Sequence, residues 1–252
     1  MDLGLTAKRA IVTGSTRGIG RAIAERLAGE GARVAICARD AAEVDAAVAA
    51  IEKAGGAAFG SACNVRDADE YRAWLESARD EMDGVDIFVP NVSGGGGMDS
   101  EKNWWTNFEI DVLHTVRGCE TLLPALKASG GSIVIIGSTN AVEFFAGPMA
   151  YNAMKAALVN YSAQLSQFVR GEGVRVNTVS PGPIYFEGGA WETIKGAMPE
   201  FYEATIGKIP GGEMGTPDEV ANVVAFLASP AASLVTGTNL IADNGFSKRV
   251  QL

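Results

Sequence analysis

Arg9-Ala10-Ile11-Val12-Thr13-Gly14-Ser15-Thr16-Arg17-Gly18-Ile19-Gly20 is a short apolar run that breaks into a glycine-punctuated turn and opens directly into an amphipathic stretch, 19–30. Gly14 permits a tight turn, Gly18 lets a ligand approach the main chain, and Gly20 lets the next helix pack closely on a strand. With Ser15, Thr16 and Ile19 they form a helix N-terminus whose unpaired N–H groups and positive dipole end suit a pyrophosphate. The spacing is not the strict G-x-G-x-x-G, so its weight comes from its place after a strand and before a helix. No G-x-x-x-x-G-K-[ST] occurs, which leaves a P-loop ATPase without its motif.

Outward from this turn, short β-rich runs alternate with longer helical stretches along the whole chain. Strands are predicted at 9–13, 33–38, 57–63, 86–89, 132–137, 174–179 and 239–242, and helices at 19–30, 41–54, 67–82, 103–128, 150–170 and 217–228. Ile133-Val134-Ile135-Ile136 is apolar throughout rather than alternating, as in a strand buried on both faces. The reading is an α/β fold: one doubly wound Rossmann-type domain over 1–252, with a seven-stranded parallel sheet flanked by helices. Two stretches interrupt the rhythm: 90–99, with Gly94-Gly95-Gly96-Gly97, and 181–215, with Gly188-Gly189, Gly207 and Gly211-Gly212. Both are read as loops at carboxyl ends of strands, the side where open α/β sheets bind ligands, with 183–215 as a mobile lid over the substrate.

Composition narrows the chemistry. The 252 residues are 47% hydrophobic, enough for a sizeable core. A formal net charge of −9 disfavours nucleic-acid binding and adsorption to anionic membranes. Three cysteines and one histidine leave too few ligands for a Cys/His zinc site and argue against a disulfide framework, so no metal is expected and a cytoplasmic location fits. No basic, apolar leader and no window of ~18 apolar residues is present, so a soluble protein without signal peptide is expected. Cys37, Cys63 and Cys119 read as small apolar packing residues, and His114 as structural, on a helix at a surface or subunit interface.

Two arginines discriminate between dinucleotides. The second strand ends Cys37-Ala38-Arg39-Asp40, and Arg17 lies inside the glycine turn. An acid at the strand end would bind a ribose 2′-hydroxyl, whereas arginines accommodate a 2′-phosphate, so NADP(H) is preferred over NAD(H). Ser138 follows the most apolar strand, and Tyr151 and Lys155 share one face of the next helix at i and i+4. A phenol of ordinary pKa ~10 works as a base at neutral pH only when a cation favours the phenolate, which Lys155 supplies. Tyr151 can then exchange a proton with a carbonyl or alcohol oxygen that Ser138 hydrogen-bonds.

With 13–20, Ser138, Tyr151-Asn152-Ala153-Met154-Lys155, Asn177…Pro181-Gly182 and Thr236-Gly237…Asp243-Asn244-Gly245 in this order, the chain resembles the short-chain dehydrogenase/reductase family over essentially its whole length. The resemblance implies an enzyme in which Tyr151 is the acid/base, Ser138 orients substrate, and Lys155 binds the nicotinamide ribose and tunes Tyr151. It puts Asn64 and Val65 beside the adenine, Asn91 in the cofactor-side loop, and Pro181, Gly182 and Ile184 at the nicotinamide. It also implies a homo-oligomer, tetramer or dimer. Three positions depart from the family pattern. Asp111 stands at the catalytic asparagine, with Asn107 one turn earlier; Pro90-Asn91-Val92-Ser93 replaces Asn-Asn-Ala-Gly; and Phe186 replaces a threonine. Phe144, Phe145, Tyr185, Phe186 and Trp191, with Trp104 and Trp105, fall in segments that the family places around the substrate, which would make the substrate bulky, apolar or aromatic. The expected activity is NADP(H)-dependent interconversion of a small-molecule ketone and secondary alcohol. The alternatives are a 3-oxoacyl-thioester reductase, which needs a basic patch for an acidic carrier, and an NADP-binding sensor weakened at Asp111 and Phe186; intact Ser138, Tyr151 and Lys155 argue against the sensor.

Overall fold

A computed structural model of the chain describes residues 2–96 and 100–248. Gly97 and Asp99 of the glycine-rich loop therefore lie outside the described residues. Seven strands, β1 (Arg9–Thr13), β2 (Arg33–Ala38), β3 (Ala57–Ala62), β4 (Ile87–Val89), β5 (Ser132–Ile136), β6 (Arg175–Pro181) and β7 (Asn239–Ala242), form one sheet. Its order is β3-β2-β1-β4-β5-β6-β7, and every pairing is parallel. The order reverses between β1 and β4, which makes a crevice at the carboxyl ends of these strands.

The apolar runs form strands because both sheet faces are covered. On β1, Val12 enters one core with Ile23 and Leu27 of α1 (Gly18–Gly29), Val44 and Ile51 of α2 (Ala41–Lys53), and Val224 of α9 (Pro217–Ala228). Its neighbour Ile11 enters the other, with Tyr71 and Leu75 of α3 (Ala68–Glu81), Leu122 and Leu126 of α5 (His114–Ser129), and Leu158 of α6 (Ala150–Val169). Each such side chain is worth about 1.5–3 kcal/mol relative to exposure. The helix starts follow local chemistry: Asp40 caps α2, Asp67 caps α3, and Thr216 with Glu219 forms a full capping box on α9.

Three expectations need correction. The predicted helix 103–128 is α4 (Glu101–Asn107), a π-helical turn at Phe108–Leu113, and α5. The stretch read as the loop 181–215 contains two helices, α7 (Ala190–Ala197) and α8 (Pro199–Ile206). Their aromatic faces pack as a separate small core of Ile209, Met214 and Phe246 with Phe145, Tyr185, Trp191 and Tyr202. The segment is clasped at its base, where Tyr185 N–H donates to Gly215 O at 2.9 Å and Gly215 N–H to Pro183 O at 3.0 Å. Finally, β6 runs on to Pro181, because β7 pairs with it there through Ala242. All three cysteines are buried and free, as expected of packing residues.

Candidate active site

The glycine turn is built from its own main chain. Gly14 and Gly18 have φ of 64° and 54°, and the Ser15 hydroxyl donates to Val12 O at 2.7 Å, so that side chain is spent inside the turn. Asn91, just beyond β4, donates from Nδ2 to Thr13 O (3.1 Å) and Gly14 O (3.0 Å), stitching the two strands together at the crevice. A Cβ on Gly20 would collide with Gly14 O and with the Asn91 amide, so only glycine fits. No side chain caps α1 at Arg17, which leaves the first N–H groups of the helix without a protein side-chain acceptor. This cradle fits an anionic pyrophosphate.

Around it, Thr16 donates to Glu43 at 2.9 Å, and the exposed Arg17 reaches Gly188 O at 3.4 Å. Arg39 is exposed at the end of β2, and the neighbouring Asp40 carboxylate is occupied in accepting Glu43 N–H at 3.1 Å. Asn64 is exposed, accepting from Arg66 N–H, while Val65 is buried. Gly182 packs flat on Asp243 and donates to Ala242 O, and Ile184 joins the core beneath the turn. Phe186 does not join the aromatic cluster: its ring covers Gly18, where a Cβ would lie 2.6 Å from Cζ. Phe144 is likewise apart from it, 85% exposed. Phe145 and Trp191 do meet, with ring centroids 6.1 Å apart, and Tyr185 lies 6.3 Å from Tyr202.

The second group lies at the end of β5. Ser138 is buried and its Oγ accepts Asn140 N–H at 3.2 Å. The start of α6 is anchored to the same place, for Asn140 Nδ2 donates to Asn152 Oδ1 at 3.2 Å and Lys155 Nζ to Ile136 O at 2.9 Å. Tyr151 lies next to Asn152 and one turn before Lys155 at this anchored helix start, and the Lys155 ammonium stands 5.7 Å from the centre of its ring. Lys155 is 2% exposed and pairs with the fully buried Asp111 at 3.0 Å. Burial works against its charge, but Asp111 and Tyr151 outweigh that and raise its pKa above the ordinary value. The other Asp111 oxygen accepts Gly94 N–H at 2.9 Å.

His114 is fully buried, which corrects its expected place at a surface or interface. Thr13 Oγ1 accepts Asn91 N–H, so its own proton points to His114 Nε2 (3.1 Å), and His114 Nδ1–H donates to Ile110 O (2.6 Å). Burial pushes the imidazole down to about 4, against the pull of Ile110 O and Asp111, so it is neutral at pH 7. Asn107, which the sequence places one turn before the catalytic-asparagine position, is buried with its Oδ1 unpaired; a Cβ on Gly94 would lie 3.1 Å from both Asn107 Oδ1 and Asp111 Oδ2.

Residues 14–247 match the family model described as Enoyl-(Acyl carrier protein) reductase. The chain is 36% identical over 250 residues to isoepoxydon dehydrogenase patN from Penicillium expansum, covering 97% of this chain and 96% of the relative. It is 35% identical over 250 residues to the 3-oxoacyl-[acyl-carrier-protein] reductase FabG of Vibrio cholerae, covering 96% and 98%. The chain belongs to the short-chain dehydrogenase/reductase family. Among solved structures of this family, L-sorbose reductase from Gluconobacter frateurii, complexed with NADPH and L-sorbose, superposes with a TM-score of 0.92 at 31% identity, covering 99% of this chain and 100% of that one. The short-chain dehydrogenase/reductase fold thus spans every described element, and the chain is an oxidoreductase of that family.

Proposed function

We propose that the protein interconverts a ketone and a secondary alcohol with NADP(H). The observation that carries this reading is the buried Lys155 ammonium, held by Ile136 O at the end of β5, two residues before the buried Ser138, and facing the Tyr151 ring at 5.7 Å. In the reducing direction the Tyr151 hydroxyl gives its proton to the carbonyl oxygen as charge develops there, and Ser138 donates a hydrogen bond to the same oxygen. In oxidation Tyr151 takes the alcohol proton. When bound, the nicotinamide supplies or accepts the hydride. The Gly14–Gly20 turn and the open end of α1 would hold the pyrophosphate, Lys155 the ribose hydroxyls, and Asn64, Val65, Asn91, Pro181, Gly182 and Ile184 the remaining contacts. Arg17 and Arg39 would receive the 2′-phosphate; the NADPH held by the sorbose reductase agrees with this choice, as does an Asp40 engaged as a helix cap.

Tyr185 and Trp191, within a lid formed by 183–215, and Phe145, which packs against the same cluster, supply an aromatic wall for a bulky apolar or aromatic substrate. Phe186 is reassigned to the cofactor side because it covers Gly18. A 3-oxoacyl thioester is the second substrate class, favoured by the likeness to FabG. A homo-oligomer is supported by the exposed Trp105 and Phe168, 59% and 74% accessible, and is read out by light scattering. Tyr151→Phe is expected to abolish turnover across a ketone panel while leaving NADPH binding, followed by fluorescence, within about twofold. Retained turnover sinks the assignment. Arg39→Ala is expected to weaken NADPH at least about tenfold and NADH hardly at all, a charge-assisted contact being worth about 1.5–3 kcal/mol.

A further inference from the structure

The Lys155 ammonium has two polar partners in the protein, Ile136 O at 2.9 Å and the Asp111 carboxylate at 3.0 Å, while the Tyr151 ring is the more distant neighbour at 5.7 Å. Asp111 lies in the π turn Phe108–Leu113, between α4 and α5, and is buried there. The carboxylate is fixed there by Gly94 N–H, and its main-chain carbonyl accepts the Thr115 hydroxyl at 2.8 Å. The titratable groups facing it are Lys155 from α6 and His114 from α5, with Tyr151 on the far side of Lys155's ammonium, and the histidine is neutral. Asn107 on α4 adds an uncharged, unpaired carbonyl oxygen. No second cation balances Asp111 among the described residues.

From this juxtaposition we infer that Asp111 is a positioning residue: it neutralises Lys155 and thereby sets how alkaline the solution must be before Tyr151 serves as a base. A phenolate forming on Tyr151 is attracted by Lys155 but repelled by Asp111, so part of the cation's help is offset. The two charges separate the roles of the pair. Lys155 stays charged over the whole working range, and the proton that moves is that of Tyr151. The inference rests on Tyr151 being the acid/base.

The test is the pH dependence of alcohol oxidation with NADP⁺, together with the tyrosinate absorbance of the enzyme without cofactor, taken as the difference from Tyr151→Phe. In Asp111→Asn both midpoints are expected to fall by about one pH unit, the size of one nearby charge in a partly screened site. Asp111→Glu, which keeps the charge, is expected to hold the parent midpoints. If Asp111→Asn does not fold, Asp111→Ser keeps an acceptor for Gly94 N–H without the charge and gives the same reading. Unchanged or raised midpoints in the uncharged variants overturn the inference. Turnover by Tyr151→Phe overturns instead the acid/base reading beneath it, so the two failures are told apart.

Discussion

Two edges of one sheet each bury a cation, and they treat it differently. At the carboxyl edge, Lys155 is bonded to one carbonyl, Ile136 O, and one carboxylate, Asp111, with a phenol close by. At the amino edge, Arg175, 7% exposed at the start of β6, is bonded to carbonyls alone: Val235 O at 3.4 Å and, at shorter range, the three of Leu227 (2.7 Å), Ala228 (3.1 Å) and Ser229 (2.9 Å). These three are the open carbonyls at the end of α9, so Arg175 acts as a cap on the negative pole of that helix. Burial and the nearby Arg170 lower its pKa, whereas that of Lys155 is raised. A planar fork matched to fixed carbonyls is a structural fastening. An ammonium shared between a carboxylate and a phenol is held where a proton can be moved.

The sharpest way to break this contrast is to remove both cations in the same manner. Lys155→Met is expected to lower turnover about 10²–10⁴-fold, in steady-state assays, because Tyr151 loses the charge that favours its phenolate. It also leaves Asp111 as a buried carboxylate without a counter-charge, so melting should shift down in parallel. The third buried ionisable group of the region sharpens the comparison through pH. His114 titrates at about 4 in the fold against an ordinary 6.5, so between these values the unfolded chain binds the extra proton. Its contribution is complete above pH 6.5 and is lost as the pH falls towards 4, about 3 kcal/mol over the whole window. Urea unfolding at several pH values should show this slope in the parent and a shallower one in His114→Asn; equal slopes would remove the buried neutral imidazole from the account. The smallest effect falls at the amino edge. Arg175→Met is expected to cost about 2 kcal/mol of stability by orphaning the carbonyls of α9, with kcat/KM within about twofold of the parent. A large loss of turnover there would erase the distinction between the two edges.

The strands were legible because Ala10–Val12, Val34–Cys37 and Ile133–Ile136 are apolar on both sides, and only a covered parallel sheet uses such runs. The glycine turn was legible for a related reason: at Gly14, Gly18 and Gly20 the main chain itself excludes a side chain or adopts positive φ. The π turn was hidden, since Phe108-Glu109-Ile110-Asp111-Val112-Leu113 contains no glycine or proline to mark an inserted residue. The burial of His114 was hidden by distance, its partner Thr13 lying 101 residues earlier in the chain. Helices α7 and α8 were obscured by Gly188, Gly189, Gly196 and Gly207. What holds them is aromatic packing, with Trp191 stacked on Phe201 at 6.1 Å and Phe145 against Phe201 at 5.9 Å. The Pro199 that starts α8 was the available signal.

The extra residue in the turn Phe108–Leu113 also fixes the rotational phase between two halves of one rod. Deleting any one residue there would let α4 and α5 fuse into a straight helix, and everything before the deletion would revolve by about 100°, the angle of one α-helical step. Asn107 would turn away from Gly94, and Trp104 and Trp105 would sweep to a different side of the molecule. A single codon thus couples the floor of the crevice to the outward display of two tryptophans, so neither can drift in position without the other.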